Sequence, residues 1–143
     1  MTLQNATARR TGGCLCGGVR YELSGPLREV IACHCRECRR QTGHYLAATA
    51  VKRHYFTLVR ADDLRWYESS ASARRGFCAA CGSTLFWDAP AYPHVAIAAG
   101  SLDDDAGLTL VCHIFVEECG HYYTLDDGAR IVQGRAHGIA VPE

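Results

Sequence analysis

Seven of the nine cysteines stand in three short clusters whose spacing is typical of metal binding. Cys33, Cys35 and Cys38 fall within six residues, a Cys-X-Cys pair precedes them, and a Cys-X-X-Cys pair follows. Thiolates are soft ligands that suit zinc, and short spacings between cysteines are the usual sequence sign of a zinc site. The sequence therefore predicts that seven sulfurs bind zinc: those of Cys14, Cys16, Cys33, Cys35, Cys38, Cys78 and Cys81.

The number of these sulfurs is itself informative, because seven is one short of two closed four-ligand sites. A structural zinc ion has four protein ligands, whereas a catalytic zinc ion keeps one position open for water or substrate. Seven ligands are therefore interpreted as four plus three. One site would hold the fold together, and the other would carry out chemistry.

The spacing leaves open which cysteines share an ion. In one grouping the first and last pairs form a quartet (Cys14, Cys16, Cys78 and Cys81), and Cys33, Cys35 and Cys38 form a separate triplet. In the other grouping, two cysteines of the triplet join the last pair as an ordinary zinc ribbon; these two are Cys35 and Cys38. The first grouping is favoured because three ligands from one short loop are easily held as a cap over one face of an ion.

The composition is that of a globular protein with one domain. The chain has 143 residues, of which 48% are hydrophobic and 21% are charged, and this length is enough to bury a core. Lys and Arg number 15, as do Asp and Glu, so no general attraction to nucleic acid or to an anionic membrane is expected. No segment approaches the roughly 20 apolar residues of a membrane-spanning helix.

The cysteines also bear on the compartment in which the protein works. Residues 1–10 contain no apolar stretch of the signal-peptide kind, and we expect a cytoplasmic location, where thiols stay reduced. A secreted disulfide scaffold is the alternative. The odd number of cysteines, nine in all, and their metal-type spacings argue against it.

Short strands separated by turns are expected to position the ligands. Alternating or apolar runs predict strands at 19–23, 27–32, 45–51, 55–60, 64–68, 84–87, 94–98 and 108–117, the last being the longest. Residues 36–41 are good helix formers and predict a single helical turn closed by Gly43. A hairpin turn is predicted at 126–128, followed by a short strand at 130–133. The sequence thus predicts an all-β fold.

Three motifs around the cysteines resemble those of the glutathione-dependent formaldehyde-activating enzyme family, to which centromere protein V is related. Residues 12–21, 33–43 and 75–83 are similar to the first, second and third motifs of the family, in the same order. Weaker similarities follow at 100–103 and 113–116. The resemblance indicates a flexible tail at 1–11, the family's zinc-binding domain at 12–135 and a C-terminal tail at 136–143.

The resemblance implies a small zinc-stabilised β-tent of short antiparallel strands with two zinc ions per chain. It assigns a structural zinc to the quartet and a catalytic zinc to the triplet, which agrees with the favoured grouping. The implied activity is that of a carbon–sulfur lyase acting in reverse, which joins glutathione to formaldehyde as S-hydroxymethylglutathione. A small-molecule thiol such as glutathione is therefore the expected partner.

Several residues near the ligands have predicted roles. Arg39 and Arg40, with Arg36, are candidates to bind substrate carboxylates, although a solvated basic face would have the same sequence. His34 lies between two ligands and is expected to form hydrogen bonds rather than to bind their metal. His113 resembles a recurrent histidine of the family and is either catalytic or a buried imidazole with its hydrogen bonds satisfied.

The cysteines outside the clusters, Cys112 and Cys119, are predicted to be buried structural thiols. Residues 121–123, His-Tyr-Tyr, stand where family members often carry a segment centred on tryptophan. If that aromatic segment helps to form the pocket wall, this difference bears on the substrate.

Three functions are consistent with the sequence. The first is a zinc-dependent enzyme acting on a thiol adduct, and the second is a non-enzymatic zinc-binding module that recognises a protein. The third is a redox or metal sensor that uses the loop of the triplet. A thiol-binding assay with metal analysis distinguishes the first from the second, and reversible loss of one zinc ion under an oxidant would mark the third.

Overall fold

The computed structural model describes residues 9–105, 107–136 and 138–143, and within them β-strands dominate. The predicted all-β fold is confirmed. The strands are β1 (Arg10–Gly13), β2 (Arg20–Leu23), β3 (Val30–Cys33), β4 (Leu46–Lys52), β5 (Phe56–Arg60), β6 (Leu64–Glu68), β7 (Arg74–Cys78), β8 (Thr84–Asp88), β9 (His94–Ala98), β10 (Leu110–Ile114) and β11 (Arg130–Ile131). The helical segments are an α-helix, α1 (Arg36–Thr42), and 3-10 turns at Arg53–Tyr55, Ala99–Ser101 and Val116–Glu118.

The strands form two sheets that share one hydrophobic core. A three-stranded sheet has the order β1-β2-β5, and an eight-stranded sheet has the order β11-β10-β3-β4-β9-β8-β7-β6. Tyr21 of β2 and Phe86 of β8 meet edge to face with ring centroids 5.4 Å apart. Leu23, Val51 and Ile97 are fully buried in the same cluster. Burial of these apolar side chains from both sheets is the main force that holds the sheets together.

The opposite face of the large sheet carries residues that line the site described below. Successive side chains of a strand point to opposite faces, so Ala96 faces away from its core neighbours Val95 and Ile97. Ala96 pairs in register with Trp87 of β8, and Trp87 pairs with Arg75 of β7. These residues therefore stand side by side on the face away from the core.

Some predicted elements differ from those observed. The strand predicted at 108–117 ends at Ile114, because Phe115 adopts a left-handed conformation with φ of 54° and a 3-10 turn follows. The prediction that this is the longest strand is therefore wrong: β4, with seven residues, is longer. The hairpin predicted at 126–128 is also wrong, because β11 pairs with β10 in parallel. A parallel pair cannot be joined by a tight turn.

Other differences lie at the ends of elements. Helix α1 has seven residues, which is longer than the single predicted turn, and Gly43 caps it with φ of 81° as predicted. Strand β1 begins at Arg10, inside the segment 1–11 assigned to a tail, and it pairs with β2. Within the part of the chain that the structure describes, no helix has the length and apolar character needed to cross a membrane.

Candidate metal centres

The structure brings the four cysteines of the quartet together at one point. Their sulfurs all lie within 4.8 Å of one another, and Sγ of Cys16 is 3.6 Å from that of Cys14 and 3.7 Å from that of Cys78. Cys14 follows β1, Cys16 lies in the turn before β2, and Cys78 ends β7. The quartet therefore joins the small sheet to the large one.

Backbone N–H groups point at the sulfurs of the quartet. Val19 N lies 3.2 Å from Cys14 Sγ, Gly18 N lies 3.4 Å from Cys16 Sγ, and Cys81 N lies 3.4 Å from Cys78 Sγ. Next to Cys81, Gly82 has φ of 79°, which makes a tight bend beside the sulfurs. Hydrogen bonds of this kind favour the ionised form of a thiol.

The cysteine triplet forms a second cluster, with its three sulfurs also within 4.8 Å of one another. Cys33 ends β3, Cys35 is the residue that caps the N-terminus of α1, and Cys38 lies in its first turn. The sulfur of Cys35 accepts a hydrogen bond from the backbone N–H of Cys38 at 3.4 Å. The cap of a short helix thus holds two of the three sulfurs in place.

The ionisation of these three thiols is interdependent. Hydrogen bonds with Cys33 and Cys38 lower the pKa of Cys35 to about 2, and hydrogen bonds with Cys35 and Cys38 raise the pKa of Cys33 well above its usual range. One sulfur can therefore ionise easily at the expense of its neighbours. A cation held among the three sulfurs would allow all of them to ionise together, because each thiolate is stabilised by the positive charge.

Arg75 is a charged neighbour of the triplet that the sequence did not single out. It is only 4% exposed, and its Nη1 donates to Cys38 Sγ at 3.4 Å and to the side-chain oxygen of Gln41 at 3.0 Å. Its Nε donates to Ser69 Oγ at 3.2 Å. Burial lowers the pKa of Arg75, but the neighbouring Cys38 sulfur raises it and the net shift is upward. A buried guanidinium thus offsets the negative charge of the thiolates.

A cavity of about 700 Å³ opens beside the triplet. Apolar residues of β3, β4 and β9 line it together with Trp87, and Phe115 and Ile139 of the C-terminal part also contribute. Four arginines line the same space: Arg28, Arg36, Arg75 and Arg135. The site is therefore accessible to a small molecule that has both apolar and anionic parts.

Arg39 and Arg40 do not line this cavity. They line a second depression of about 850 Å³ on the other side of α1, together with Cys119 and Tyr122. Arg39 Nε also donates to the backbone oxygen of Glu118 at 3.1 Å. Arg36 lines both spaces, as does Glu118.

The remaining predicted residues have clear environments. Both ring nitrogens of His34 are hydrogen-bonded, at 2.7 Å to the hydroxyl of Tyr123 and at 2.8 Å to Nδ1 of His113, which confirms the predicted hydrogen-bonding role. Cys112 is fully buried, as expected. The same prediction is wrong for Cys119, which is partly exposed at the second depression.

The donor sets of both clusters fit zinc. Four thiolates make a closed tetrahedral set, whereas three leave one position for another ligand. Across residues 9–105, 107–136 and 138–143, no fourth His, Cys, Asp or Glu joins the triplet. The two clusters thus match the four-plus-three grouping, and the zinc-ribbon grouping does not occur.

Comparisons with known proteins agree with this geometry. The sequence model of the family described as glutathione-dependent formaldehyde-activating enzyme matches residues 9–118. Among solved structures, the crystal structure of a protein from Rhodobacter sphaeroides is similar, with 23% identity and a TM-score of 0.56. The match covers 69% of this chain and 90% of that chain. At this identity the likeness supports the fold.

Proposed function

This chain belongs to the glutathione-dependent formaldehyde-activating enzyme family, and from that premise we propose that its cysteine triplet is the open zinc site of an enzyme acting on a thiol adduct. One observation carries the proposal. The three sulfurs converge within 4.8 Å, no fourth ligand joins them within the described residues, and a cavity of about 700 Å³ opens beside them. The quartet would hold a second, structural zinc ion.

The chemistry requires a substrate thiol in its ionised form. Zinc bound by three thiolates would supply a soft fourth position that favours a thiolate at neutral pH. Arg75 limits the accumulation of negative charge, since its guanidinium lies 3.4 Å from Cys38 Sγ. The apolar lining of the cavity would keep competing water away from the sulfur.

The reaction we propose joins glutathione to formaldehyde as S-hydroxymethylglutathione, which is a carbon–sulfur lyase reaction in reverse. The thiolate sulfur forms a bond to the carbonyl carbon, and the π electrons of the C=O bond move to oxygen. That oxygen takes up a proton, which balances the proton lost by the thiol. Neither an oxidant nor a reductant is needed. The abundance of reduced glutathione in the cytoplasm makes this the proposed compartment.

The arginines around α1 would hold the carboxylates of the tripeptide. Arg36 lines both the triplet cavity and the second depression. A glutathione molecule with its sulfur at the triplet could extend past Arg36 to Arg39 and Arg40, the residues predicted from the sequence. Arginine suits this role because its guanidinium binds a carboxylate through two parallel hydrogen bonds.

Cobalt substitution tests the proposal, because the sulfur-to-cobalt charge-transfer band reports on thiolate ligands. Adding glutathione to the cobalt protein should strengthen this band, whereas S-methylglutathione, which cannot form a thiolate, should not. The response should be lost in Cys35→Ser and kept when residues 1–8 are removed. Equal responses to the two tripeptides would rule out sulfur ligation and favour a binding module. Glutathione binding without accelerated formaldehyde addition would remove only the specific reaction.

A further inference from the structure

The two histidines near the triplet belong to a longer hydrogen-bond chain that runs from Tyr123 to the exposed Asp127. Tyr123 Oη lies 2.7 Å from His34 Nδ1, His34 Nε2 lies 2.8 Å from His113 Nδ1, and His113 Nε2 lies 2.9 Å from Asp127 Oδ2. Both histidines are 1% exposed. Tyr45 packs against both rings, with centroids 4.8 Å from that of His34 and 5.8 Å from that of His113. The hydrogen bonds therefore fix both imidazoles within their ring planes, and the contact with Tyr45 restricts them further.

The last member of the hydrogen-bond chain sets the direction of the bond between Asp127 and His113. An ionised carboxylate can only accept, and hydrogen bonding to His113 is the largest cause that lowers the pKa of Asp127. His113 thus carries its proton on Nε2, and the Nδ1 of a neutral His113 accepts from His34 Nε2. His34 Nδ1 in turn accepts from the Tyr123 hydroxyl. In that arrangement His34 and His113 both carry their proton on Nε2.

We propose that this chain of hydrogen bonds positions the cysteine triplet, with Tyr123 and Asp127 as positioning residues of the open metal site. His34 stands between Cys33 and Cys35, so locking its ring also fixes the backbone that carries two of the three ligands. The backbone N–H of His34 donates to the carbonyl oxygen of Ile114 at 3.0 Å, which secures the same peptide from β10. The proposal rests on the proposed function only in taking the triplet as a metal site.

The hydrogen-bond chain also occupies both ring nitrogens of His34. Each ring nitrogen of His34 is occupied by a partner within the chain, so neither is available to bind the metal. Loss of the Tyr123 hydroxyl would remove one of the two hydrogen bonds of the His34 ring, and loss of Asp127 would remove the hydrogen bond that fixes His113. A less firmly held imidazole between two ligands would disorder the backbone that carries the sulfurs.

The neighbouring tyrosine offers a matched control. Tyr122 Oη donates to the carbonyl oxygen of Gly43 at 3.1 Å and lies 2.9 Å from His44 Nδ1. It therefore makes two hydrogen bonds against one for Tyr123. Both lie at the C-terminal end of α1 and neither joins the hydrogen-bond chain of the histidines. Tyr122→Phe and Tyr123→Phe each remove one hydroxyl and leave the ring.

The test measures the affinity and spectrum of cobalt at the triplet by chelator competition, with cobalt at the quartet as an internal control. Tyr123→Phe and Asp127→Ala should weaken cobalt binding at the triplet by about 10-fold, the lower end of the range for direct partners of a metal ligand, because neither residue bonds a ligand itself. Both variants should alter the visible bands of that site alone. Tyr122→Phe should change neither. Asp127→Asn, whose amide oxygen still accepts, should retain more affinity than Asp127→Ala.

Nitrogen-15 NMR of the zinc protein labelled at histidine supplies a second readout that does not depend on activity or on glutathione. His34 and His113 should both carry their proton on Nε2. A proton on Nδ1 of either residue would overturn the inference, as would wild-type affinity and spectrum in Tyr123→Phe. If Asp127→Ala fails to fold, Tyr123→Phe decides the outcome alone. A cobalt band that ignores glutathione would contradict the proposed function and leave this result intact.

Discussion

The guanidinium of Arg75 lies 3.4 Å from the sulfur of Cys38, a residue 37 positions earlier in the sequence. Pairing of Arg75 with Trp87 in the sheet sets its side chain on the cavity face. Gln41 accepts from the same Nη1 that donates to Cys38, and Ser69 accepts from Nε. A cation so fixed and buried stabilises the thiolate form of the triplet without itself being a ligand. The charge of the open site is thus set partly by a strand outside the ligand loop.

The first prediction concerns this arginine. Arg75→Met keeps the length of the side chain but removes its charge, and it should weaken cobalt or zinc binding at the triplet by about 1.5–3 kcal/mol, the range for a hydrogen bond to a charged group. The metal affinity of Arg75→Lys should lie between those of the wild type and Arg75→Met, since lysine keeps the charge but not the planar geometry. Chelator competition measures both.

A neighbouring residue of β7 is the matched control for Arg75. Arg74 Nε donates to Asp88 at 2.9 Å, and its guanidinium lies 3.8 Å from the ring centroid of Trp66. Arg74→Met should therefore lower the stability of the fold and leave the metal affinity of the triplet unchanged. If Arg74→Met and Arg75→Met weaken binding equally, the charge of Arg75 has no specific role.

The second prediction separates the two clusters. The quartet joins residues from distant parts of the chain, so the free energy of metal binding there is folding free energy. Cys81→Ser should be insoluble or unfolded, whereas Cys38→Ser should stay folded with about half of the metal. Thermal unfolding and metal analysis check both variants. An unchanged melting temperature for Cys81→Ser would contradict a structural role for the quartet.

The third prediction tests which arginines hold the substrate. If Arg39 or Arg40 binds a carboxylate of glutathione, its replacement by Ala should weaken glutathione binding by about 1–3 kcal/mol without loss of metal. Arg135→Ala is the comparison, because Arg135 lines the triplet cavity itself. Calorimetry of glutathione binding to the zinc protein measures all three. An effect of Arg135→Ala alone would return Arg39 and Arg40 to a solvated basic face.

The fourth prediction concerns the pH dependence of stability. Burial raises the pKa of Asp88, but hydrogen bonds from Arg53 at 2.6 Å and Arg74 at 2.9 Å lower it, and the net shift is downward. A carboxyl with a lowered pKa in the folded state contributes stability above its unfolded pKa of about 3.9. It loses that contribution as the pH falls through the folded value.

Asp88→Asn should therefore lower the free energy of unfolding by about 1–3 kcal/mol. The loss should be the same at pH 6 and pH 8, because both lie above the unfolded pKa. Urea unfolding of the zinc protein at the two pH values measures it. A loss that appears at only one of them would show that another group titrates with the pair.

Residue type and spacing predicted the features that are local in the sequence. The cysteines identified both clusters, and Gly43 marked a bend with φ of 81° because only glycine adopts that conformation at low cost. His34 was correctly expected to form hydrogen bonds, since a residue between two ligands has little access to their ion. Each of these inferences needed only a few neighbouring residues.

Features that depend on distant pairing could not be predicted. Arg74 and Arg75 look alike in the sequence, and only the register with Trp87 distinguishes them. Asp127 is a residue type that is common in turns, yet its carboxylate accepts a hydrogen bond from His113, 14 positions away. The end of β10 depends on Phe115, a bulky residue with φ of 54° that no propensity would suggest.

The compactness of the triplet also has a consequence for biosynthesis. Its three sulfurs lie within six residues, whereas the quartet spans Cys14 to Cys81. The whole triplet therefore leaves the ribosome before Cys78 and Cys81 of the quartet have been synthesised. The segment that carries Tyr123 and Asp127 emerges after both clusters. In the order of translation, the triplet thus becomes available to a metal ion first. The quartet that joins the two sheets follows, and the hydrogen bonds that fix His34 come third.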